Sequence, residues 1–130
     1  MTESKVPGDL HYTKTHEWVR VDGDVATIGI TDHAQSELTD IVFVDLPAAG
    51  KAVHAGASAL VLESVKTVSD VYAPGDGVVE SANTELKAHP ELVNSDPYGK
   101  GWIFKVKLAR PIDPAKLLSA DAYRQLEKSG

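Results

Sequence analysis

The sequence predicts a mainly β (α+β) fold, a barrel or sandwich of two strand-rich halves with short helices and a C-terminal helix. Short runs of β-branched and aromatic residues recur between glycines and prolines along most of the 130 residues. Large apolar residues occupy every second position from Trp102 to Leu108, which is the period of a strand. Helix signals follow that strand, at about residues 113–128.

The first elements follow from local turn and capping signals. Two β-rich runs, residues 19–21 and 25–30, flank Asp22-Gly23-Asp24 and predict a hairpin. Asp32, with Gln35 three residues later, forms a capping-box pattern that predicts a short helix with Asp32 as its N-cap. Further strands are predicted at residues 41–44, 53–54, 57–65, 68–73, 77–81 and 102–108.

The second half of the chain carries more capping signals. Asn83 and Ser119 are both suited to cap a helix that follows them. Asp113-Pro114 combines an N-cap residue with proline, which is favoured at the first position of a helix. The elements predicted from these signals are a short helix at 83–88, a turn-rich loop at 94–101 and a C-terminal helix at 120–128.

Lys66 lies between two strand-rich halves that weakly repeat each other, each with a strand, a loop and a strand. So few residues separate the flanking strands that their junction must be a tight hairpin, with Lys66 exposed at its tip. It is the only lysine or arginine between Lys51 and Lys87, and Glu63 and Asp70 lie on either side. Lysine is common at turns without a special role, but its isolation and central position favour a function here.

Composition excludes several classes of function. The chain has 13 Lys and Arg against 19 Asp and Glu, a formal charge of −6, which argues against nucleic-acid binding. It has no cysteine, so its own residues cannot form a disulfide, a thiolate zinc site, an iron–sulfur cluster or a cysteine nucleophile. Any sulfur chemistry must therefore come from an attached group.

The length indicates a single domain. We expect a flexible tail over residues 1–9, one domain over residues 10–130 that includes the helical extension, and a monomer. No targeting segment or membrane-spanning run is visible, so we expect a cytoplasmic protein, or a mitochondrial one if the sequence is a processed form. The five histidines lack the spacing of metal ligands, and no metal site is predicted.

Several separate motifs resemble the glycine cleavage system H protein family. Residues 63–74 are similar to its lipoyl-lysine segment, with Lys66 at the position of the modified lysine. The likeness extends from about residue 10 to about residue 126, in the family's order, and is far more specific than one short motif. The other similar segments are residues 12–20, 29–35, 42–47, 92–102 and 117–123.

The resemblance implies a fold, a cofactor and a set of partners. The fold is the lipoyl/biotinyl-like barrel-sandwich hybrid, and the cofactor is lipoate, joined by an amide to Lys66 with loss of one positive charge. The implied function is a non-catalytic shuttle that carries the aminomethyl group of glycine from glycine decarboxylase (P-protein) to the aminomethyltransferase (T-protein). Dihydrolipoyl dehydrogenase (L-protein) reoxidises the lipoyl group, and a lipoate-attaching enzyme first installs it.

The resemblance also suggests roles for the residues around Lys66. Glu17 and Asp70 match acidic positions of the cleft that holds the loaded arm in the family. Carboxylates in a partly water-excluded cleft suit a cationic amine. The candidates for recognition by the attaching enzyme are Glu63, Ser64, Val65 and Thr67.

Other interpretations stay open at the level of sequence. A biotinyl domain resembles this fold but usually has methionines beside its lysine, whereas Val65 and Thr67 flank Lys66. A lipoyl domain of a 2-oxoacid dehydrogenase usually has Asp before the lysine and lacks a long C-terminal helical extension. An enzyme with Lys66 as a Schiff-base nucleophile needs a desolvated lysine or a nearby cation, whereas the neighbours here are acidic. A plain interaction module with an acidic surface is the last alternative.

Overall fold

Two antiparallel sheets form the body of the protein. A computed structural model describes residues 5–129 of the chain. The strands are β1 (His11–Tyr12), β2 (Glu17–Asp22), β3 (Val25–Ile30), β4 (Ile41–Val44), β5 (Ala52–Val53), β6 (Ser58–Ser64), β7 (Val68–Tyr72), β8 (Gly77–Ala82) and β9 (Phe104–Leu108). One sheet has six strands in the order β1-β2-β3-β9-β8-β5, and the other has three in the order β4-β6-β7. This strand-rich architecture confirms the predicted fold class.

The two repeated halves predict two parts with similar numbers of strands, whereas one sheet has six strands and the other has three. β4 pairs with β6 and β8 pairs with β9, so the strands within each predicted half do pair with each other. β9 also pairs with β3, which joins the N-terminal hairpin to the second half and enlarges that sheet. Pairing between strands distant in sequence leaves no local signal, so local patterns predict the pairs but not the size of the sheet.

The described residues also contain three α-helices and two short 3-10 helices. The first helix has Thr31 as its N-cap, because the Thr31 Oγ1 accepts a hydrogen bond from the Ala34 N–H. The prediction of Asp32 as N-cap was wrong by one residue; the Asp32 carboxylate instead accepts from the Gln35 side chain. The helices are α1 (Asp32–Leu38), α2 (Leu92–Ser95) and α3 (Ala120–Ser129), with 3-10 turns at Thr84–Lys87 and Pro114–Lys116.

Other local predictions are confirmed. Gly23 turns the β2–β3 hairpin with a φ of 63°, in the left-handed region that favours glycine. The Asn83 side chain accepts from the Glu85 N–H at the start of the first 3-10 turn. The Ser119 side chain accepts from the Ala122 N–H at the start of α3. In each case a single residue decides where the element begins.

Two short elements escaped the prediction. β1 has only two residues, and main-chain hydrogen bonds between Tyr12 and Leu118 hold it to the segment before α3. α2 ends inside the segment predicted as a turn-rich loop over residues 94–101. Elements of two to four residues are too short to show a hydrophobic period.

The helices are also short compared with the thickness of a bilayer. The longest, α3, has 10 residues. A helix needs about 20 apolar residues to cross a membrane. Within residues 5–129 no helix has the length and apolar character for such a crossing.

The main core lies between the two sheets. Ile28 and Val106 contribute to it from the larger sheet, and Leu62 and Val71 from the smaller one, all at most 1% exposed. Burial of this apolar face is the main stabilising contribution to the sandwich. It also sets which side of each strand faces solvent, because side chains alternate along a strand.

A second apolar cluster lies at the far side of the larger sheet. It is formed around Trp18, whose ring lies so close to Gly29 that a Cβ there would be 2.5 Å from the indole Nε1. The Trp18 Nε1–H donates to the Pro97 carbonyl at 2.8 Å. The other buried members are Val6, Leu10, Tyr12 and Tyr123.

The N-terminal segment contributes to this second cluster. Val6 is buried, and the Lys5 carbonyl accepts a hydrogen bond from the Tyr98 hydroxyl. These contacts hold Lys5 and Val6, which belong to the segment of residues 1–9 that was predicted to be a flexible tail. Residues 1–4 lie outside the described residues.

Tyr123 attaches α3 to the body. Its fully buried ring stacks on Tyr12, with ring centroids 4.8 Å apart. Its hydroxyl lies 2.6 Å from the His16 Nδ1 and 2.7 Å from the Thr31 Oγ1. The C-terminal helix is thus tied to the loop before β2 and to the N-cap of α1.

We predict that Tyr123→Phe lowers the free energy of unfolding by about 1–3 kcal/mol, because it leaves buried polar groups without a partner while preserving the ring. Urea denaturation of the variant and the wild type measures the difference. Removal of an exposed charge on the same helix, Asp121→Asn, is the control and should change little. An unchanged unfolding free energy in Tyr123→Phe would show that the hydroxyl bonds contribute nothing.

Candidate functional site

Lys66 lies at the tip of the β6–β7 hairpin, as the sequence predicts, and its side chain is exposed. The last pair of the ladder is Glu63 with Val68, which leaves a four-residue turn. The Ser64 Oγ accepts from the N–H groups of Lys66 at 3.2 Å and Thr67 at 3.0 Å. The Ser64 N–H donates to the Thr67 carbonyl at 2.8 Å. The tip is therefore hydrogen-bonded internally while it presents a primary amine to solvent.

The loop between α1 and β4 supports this tip from behind. The Val65 N–H donates to the Asp40 carbonyl at 3.0 Å. The Lys66 Nζ donates to the Glu37 carbonyl at 3.1 Å. Glu37 lies in the last turn of α1, where carbonyls without helical partners carry partial negative charge that suits an ammonium group. The unmodified lysine thus has a defined resting contact.

Asn94 holds the α1–β4 loop in turn. Its Oδ1 accepts from the Ile41 N–H at 2.9 Å, and its Nδ2 donates to the Thr39 carbonyl at 2.8 Å and to the Gln35 Oε1 at 3.0 Å. Thr39 has a φ of 64°, which is unfavourable for a β-branched residue and needs support from its surroundings. Asn94 therefore fixes a strained loop on which the Lys66 tip rests. Nothing local in the sequence links Asn94 to Lys66, so this role was missed.

Glu17 is buried, only 1% exposed, at the start of β2. One carboxylate oxygen accepts from the hydroxyls of Thr13 and Thr15, and the other accepts from the Tyr72 N–H at 3.3 Å. Burial raises the pKa of the Glu17 carboxyl, and the hydrogen bonds from Thr13, Thr15 and Tyr72 oppose that rise. Its carboxylate thus couples the loop before β2 to the end of β7.

Asp70 is exposed in the middle of β7, and its Oδ1 accepts from the Ser58 Oγ at 2.8 Å. Tyr72, whose N–H reaches Glu17, lies two residues further along the strand, which is roughly 7 Å. β7 therefore leads from the Lys66 tip past Asp70 to Glu17. Asp70 lies on β7, and the carboxylate of Glu17 on β2 reaches the end of that strand, but only Asp70 is exposed.

The four recognition candidates divide into two groups. Glu63, Val65 and Thr67 are exposed around Lys66. Ser64 is half-buried, and its hydroxyl is occupied by the hydrogen bonds that shape the turn. A change at Ser64 would therefore alter the tip itself, whereas the other three side chains are available to a partner.

Two of the histidines lie in or beside the first helix, and the His33 Nε2 is 3.9 Å from a carboxylate oxygen of Glu37, whose carbonyl accepts from Lys66. The rings of His16 and His33 are 4.9 Å apart, beside α3, and the His33 Nδ1 is 3.5 Å from a Glu127 carboxylate oxygen. Burial, followed by the charge of His33, lowers the pKa of His16. Among the described residues no group of three or more His, Asp or Glu side chains is arranged to hold a metal ion.

Comparisons with known proteins match almost the whole chain. A family model described as glycine cleavage H-protein matches residues 10–130. A glycine cleavage system H protein of Rubrobacter xylanophilus is 53% identical over 126 residues, which are 96% of this chain and 98% of that protein. The one of Methylacidiphilum infernorum is 52% identical over 121 residues, 93% and 94% of the two chains.

A solved structure has the same fold. It is the crystal structure of a glycine cleavage system H protein from Mycobacterium marinum, with a TM-score of 0.86 and 39% sequence identity. The match covers 95% of this chain and 99% of that chain. This likeness confirms the predicted lipoyl/biotinyl-like architecture.

We predict that Asn94→Ala loosens the Lys66 tip. Loss of its hydrogen bonds should cost about 1–3 kcal/mol of unfolding free energy and should speed hydrogen exchange at the Val65 amide, which bonds to the Asp40 carbonyl. Exchange followed by NMR is the measurement. Asn83→Ala is the matched control, because Asn83 binds the carbonyls of a different loop, before β9. Equal acceleration at Val65 in both variants would contradict a specific role of Asn94.

We predict that the buried carboxyl group of Glu17 makes the free energy of unfolding depend on pH. Burial raises its pKa above the ordinary value of 4.5, so the folded protein favours the protonated carboxyl. That contribution is fully present below the ordinary pKa and is lost as pH rises through the raised value. Glu17→Gln is uncharged at every pH, so the variant should gain stability relative to the wild type as pH rises. Urea titrations between about pH 4 and pH 7 test this; a pH-independent difference would disprove it.

Proposed function

The chain belongs to the glycine cleavage H-protein family, and from this premise we propose that Lys66 is the residue that carries its lipoyl group. Proteins of this family are the lipoyl-carrying shuttle of the glycine cleavage system, and the chain is a carrier rather than a catalyst. The observation that carries the assignment to Lys66 is an exposed amine at the tip of an ordered hairpin. It lies in the segment that resembles the family's modified lysine.

The residues present fit an amide-linked lipoyl group. The Lys66 amine is open to solvent, and the turn around it is closed by bonds from Ser64 that do not involve the side-chain nitrogen. After acylation the side-chain nitrogen keeps one N–H, which suffices for the contact with the Glu37 carbonyl. When bound, lipoate supplies a disulfide that the chain, which has no cysteine, does not provide.

Other components of the glycine cleavage system are the partners of this carrier. We assign them individually as glycine decarboxylase (P-protein), the aminomethyltransferase (T-protein) and dihydrolipoyl dehydrogenase (L-protein). A lipoate-attaching enzyme acts on Lys66 before any of them. The exposed tip supports this series of encounters, because a long side chain beyond a hairpin can enter successive active sites.

We further propose that the loaded arm folds back along β7. Asp70 offers an exposed carboxylate on the path from the tip, and the carboxylate of Glu17, which lies on β2, accepts a hydrogen bond from the N–H of Tyr72 at the end of β7. Charge pairing with a cationic amine is stronger where water is partly excluded, which favours the region near Glu17 over the open tip. In this arrangement Asp70 meets the arm first, and Glu17 receives it only if the threonine hydroxyls release an oxygen.

We propose that the enzyme that attaches lipoate recognises the exposed side chains around the amine, which are Glu63, Val65 and Thr67. Ser64 contributes to that recognition because its hydrogen bonds shape the turn. A Schiff-base enzyme finds no support, because Lys66 is exposed and its neighbours Glu63 and Asp70 are acidic.

We also propose that the protein is cytoplasmic and monomeric. The relatives named above are bacterial.

Lys66→Arg tests the modification site directly. Produced in a host that lipoylates proteins, the wild type should gain the mass of one lipoyl group, and the variant should gain none, because guanidinium is not acylated in lysine's place. With the three partner enzymes, only the wild type should support glycine-dependent NADH formation. Lipoylation of the variant would place the group on another lysine, and an inactive but fully lipoylated wild type would contradict the shuttle assignment.

A further inference from the structure

A chain of hydrogen bonds joins the loop before β2, the first helix and the C-terminal helix. The Tyr123 hydroxyl lies at its centre, 2.6 Å from the His16 Nδ1 and 2.7 Å from the Thr31 Oγ1. Thr31 is fully buried, and its Oγ1 also accepts from the Ala34 N–H at 3.2 Å. The Thr31 N–H donates to the His16 carbonyl at 3.0 Å, so the backbone holds the same groups together. We call His16, Thr31 and Tyr123 the helix latch.

The hydrogen bonds of the latch decide which nitrogen of neutral His16 carries the hydrogen. With the hydrogen on Nε2, the Tyr123 hydroxyl donates to Nδ1 and the Thr31 hydroxyl donates to the Tyr123 oxygen. With the hydrogen on Nδ1, Tyr123 must donate to Thr31, whose own hydroxyl then has no acceptor among the described residues. Buried donors are almost always paired, so the network places the hydrogen on Nε2.

Protonation of His16 disrupts this arrangement. The added proton goes to Nδ1, which then donates to the Tyr123 oxygen instead of accepting from it. Tyr123 must turn its hydrogen towards Thr31, and the Thr31 hydroxyl becomes a buried donor without a partner. Such a group costs free energy, so the protonated latch holds α3 less firmly. Burial, followed by the charge of His33, lowers the pKa of His16, which agrees with a site that disfavours the imidazolium.

A second histidine opposes the same charge. The ring of His33 lies 4.9 Å from that of His16, and its Nδ1 is 3.5 Å from Glu127 of α3 while its Nε2 is 3.9 Å from Glu37. These carboxylates suit a positive charge on His33, which repels a charge on His16. They also act on His16 and raise its pKa, but burial and His33 outweigh them. The other ionisable groups nearby have further contacts of their own; they are Tyr12, Glu17, Asp32, Lys66, Tyr98 and Arg124.

We propose that the helix latch is an acid-sensitive switch that releases α3 from the body of the protein when His16 is protonated. Release would open the second apolar cluster, because the ring of Tyr123, which stacks on Tyr12, belongs to it. It would also free the Thr31 hydroxyl at the N-cap of α1, the helix whose last turn contacts the Lys66 amine. The switch needs no lipoyl group, so it acts in the unmodified chain as well.

The lowered pKa of His16 gives the direction of the pH dependence. A folded state that disfavours the imidazolium keeps the full contribution of the latch above the ordinary pKa of 6.5. It loses that contribution as pH falls through 6.5 towards the lowered value. Release of α3 should therefore be rare at about pH 7.5 and more frequent at about pH 5.

Hydrogen exchange followed by NMR measures the release. Protection factors, which correct for the effect of pH on the exchange chemistry, are compared at about pH 7.5 and pH 5. The Tyr123 N–H, bonded to the Ser119 carbonyl, reports on α3, and the Ile103 N–H, bonded to the Ile28 carbonyl, reports on the larger sheet. In the wild type the Tyr123 factor should fall by about fivefold or more relative to Ile103, the size expected for one unpaired buried hydroxyl.

His16→Asn removes the titrating ring and tests its role. Asn tolerates the left-handed backbone of this position, where φ is 71°, so the variant should keep the loop while Tyr123 loses its pH-dependent protection. His89→Asn is the matched control, because the side chain of His89 is 63% exposed beside Glu91. Its Tyr123 protection should fall with pH as in the wild type.

Several results would overturn the switch. One is a wild-type Tyr123 protection factor that stays constant with pH, and another is an equal fall at Ile103, which would mean global acid unfolding. An unchanged pH dependence in His16→Asn would assign the effect to another group. The ¹⁵N chemical shifts of the His16 ring provide a test without a variant: at about pH 7.5 they should show the hydrogen on Nε2, and the Nδ1–H form would contradict the proposal.

Discussion

The register of β6 against β7 is the constraint on which the rest of the site depends. Side chains alternate across a strand, so a slip of one residue would exchange buried Leu62 and Val71 for exposed Glu63 and Asp70. Burial of the apolar face therefore fixes several features together. It places Lys66 at the turn, the acidic side chains on the outer face and the last N–H of β7 against the Glu17 carboxylate.

What the sequence predicts well is local. The hairpin at Gly23, the caps at Asn83 and Ser119 and the exposed turn at Lys66 each depend on residues close together in the chain. A turn or a cap is decided by one side chain and the backbone next to it. For this reason the position of Lys66 follows from the strand signals on either side, before any comparison with relatives is made.

What the sequence does not predict depends on contacts between distant segments. The six-stranded sheet requires the pairing of β3 with β9, and the support of the tip requires Asn94 to reach the loop after α1. The resemblance places Glu17 in a cleft, but the residues near it in sequence do not indicate its hydrogen bond with the Tyr72 N–H. Val42 and Phe43 are both exposed between buried Ile41 and Val44, because the pairing of β4 with β6 shifts register between Ile41 and Phe43. None of these arrangements has a signature within a short window of sequence.

The pairing of β1 with the segment before α3 has a consequence for the order of folding. Tyr12 and Leu118 exchange main-chain hydrogen bonds from nearly opposite ends of the chain. Contacts of such high sequence separation carry a large loop-closure entropy and slow folding, whereas a hairpin of adjacent strands closes within microseconds. We therefore expect the β6–β7 hairpin to form early and the pairing of Tyr12 with Leu118 to form late. The segment that bears the modifiable lysine then reaches its conformation before the ends of the domain meet.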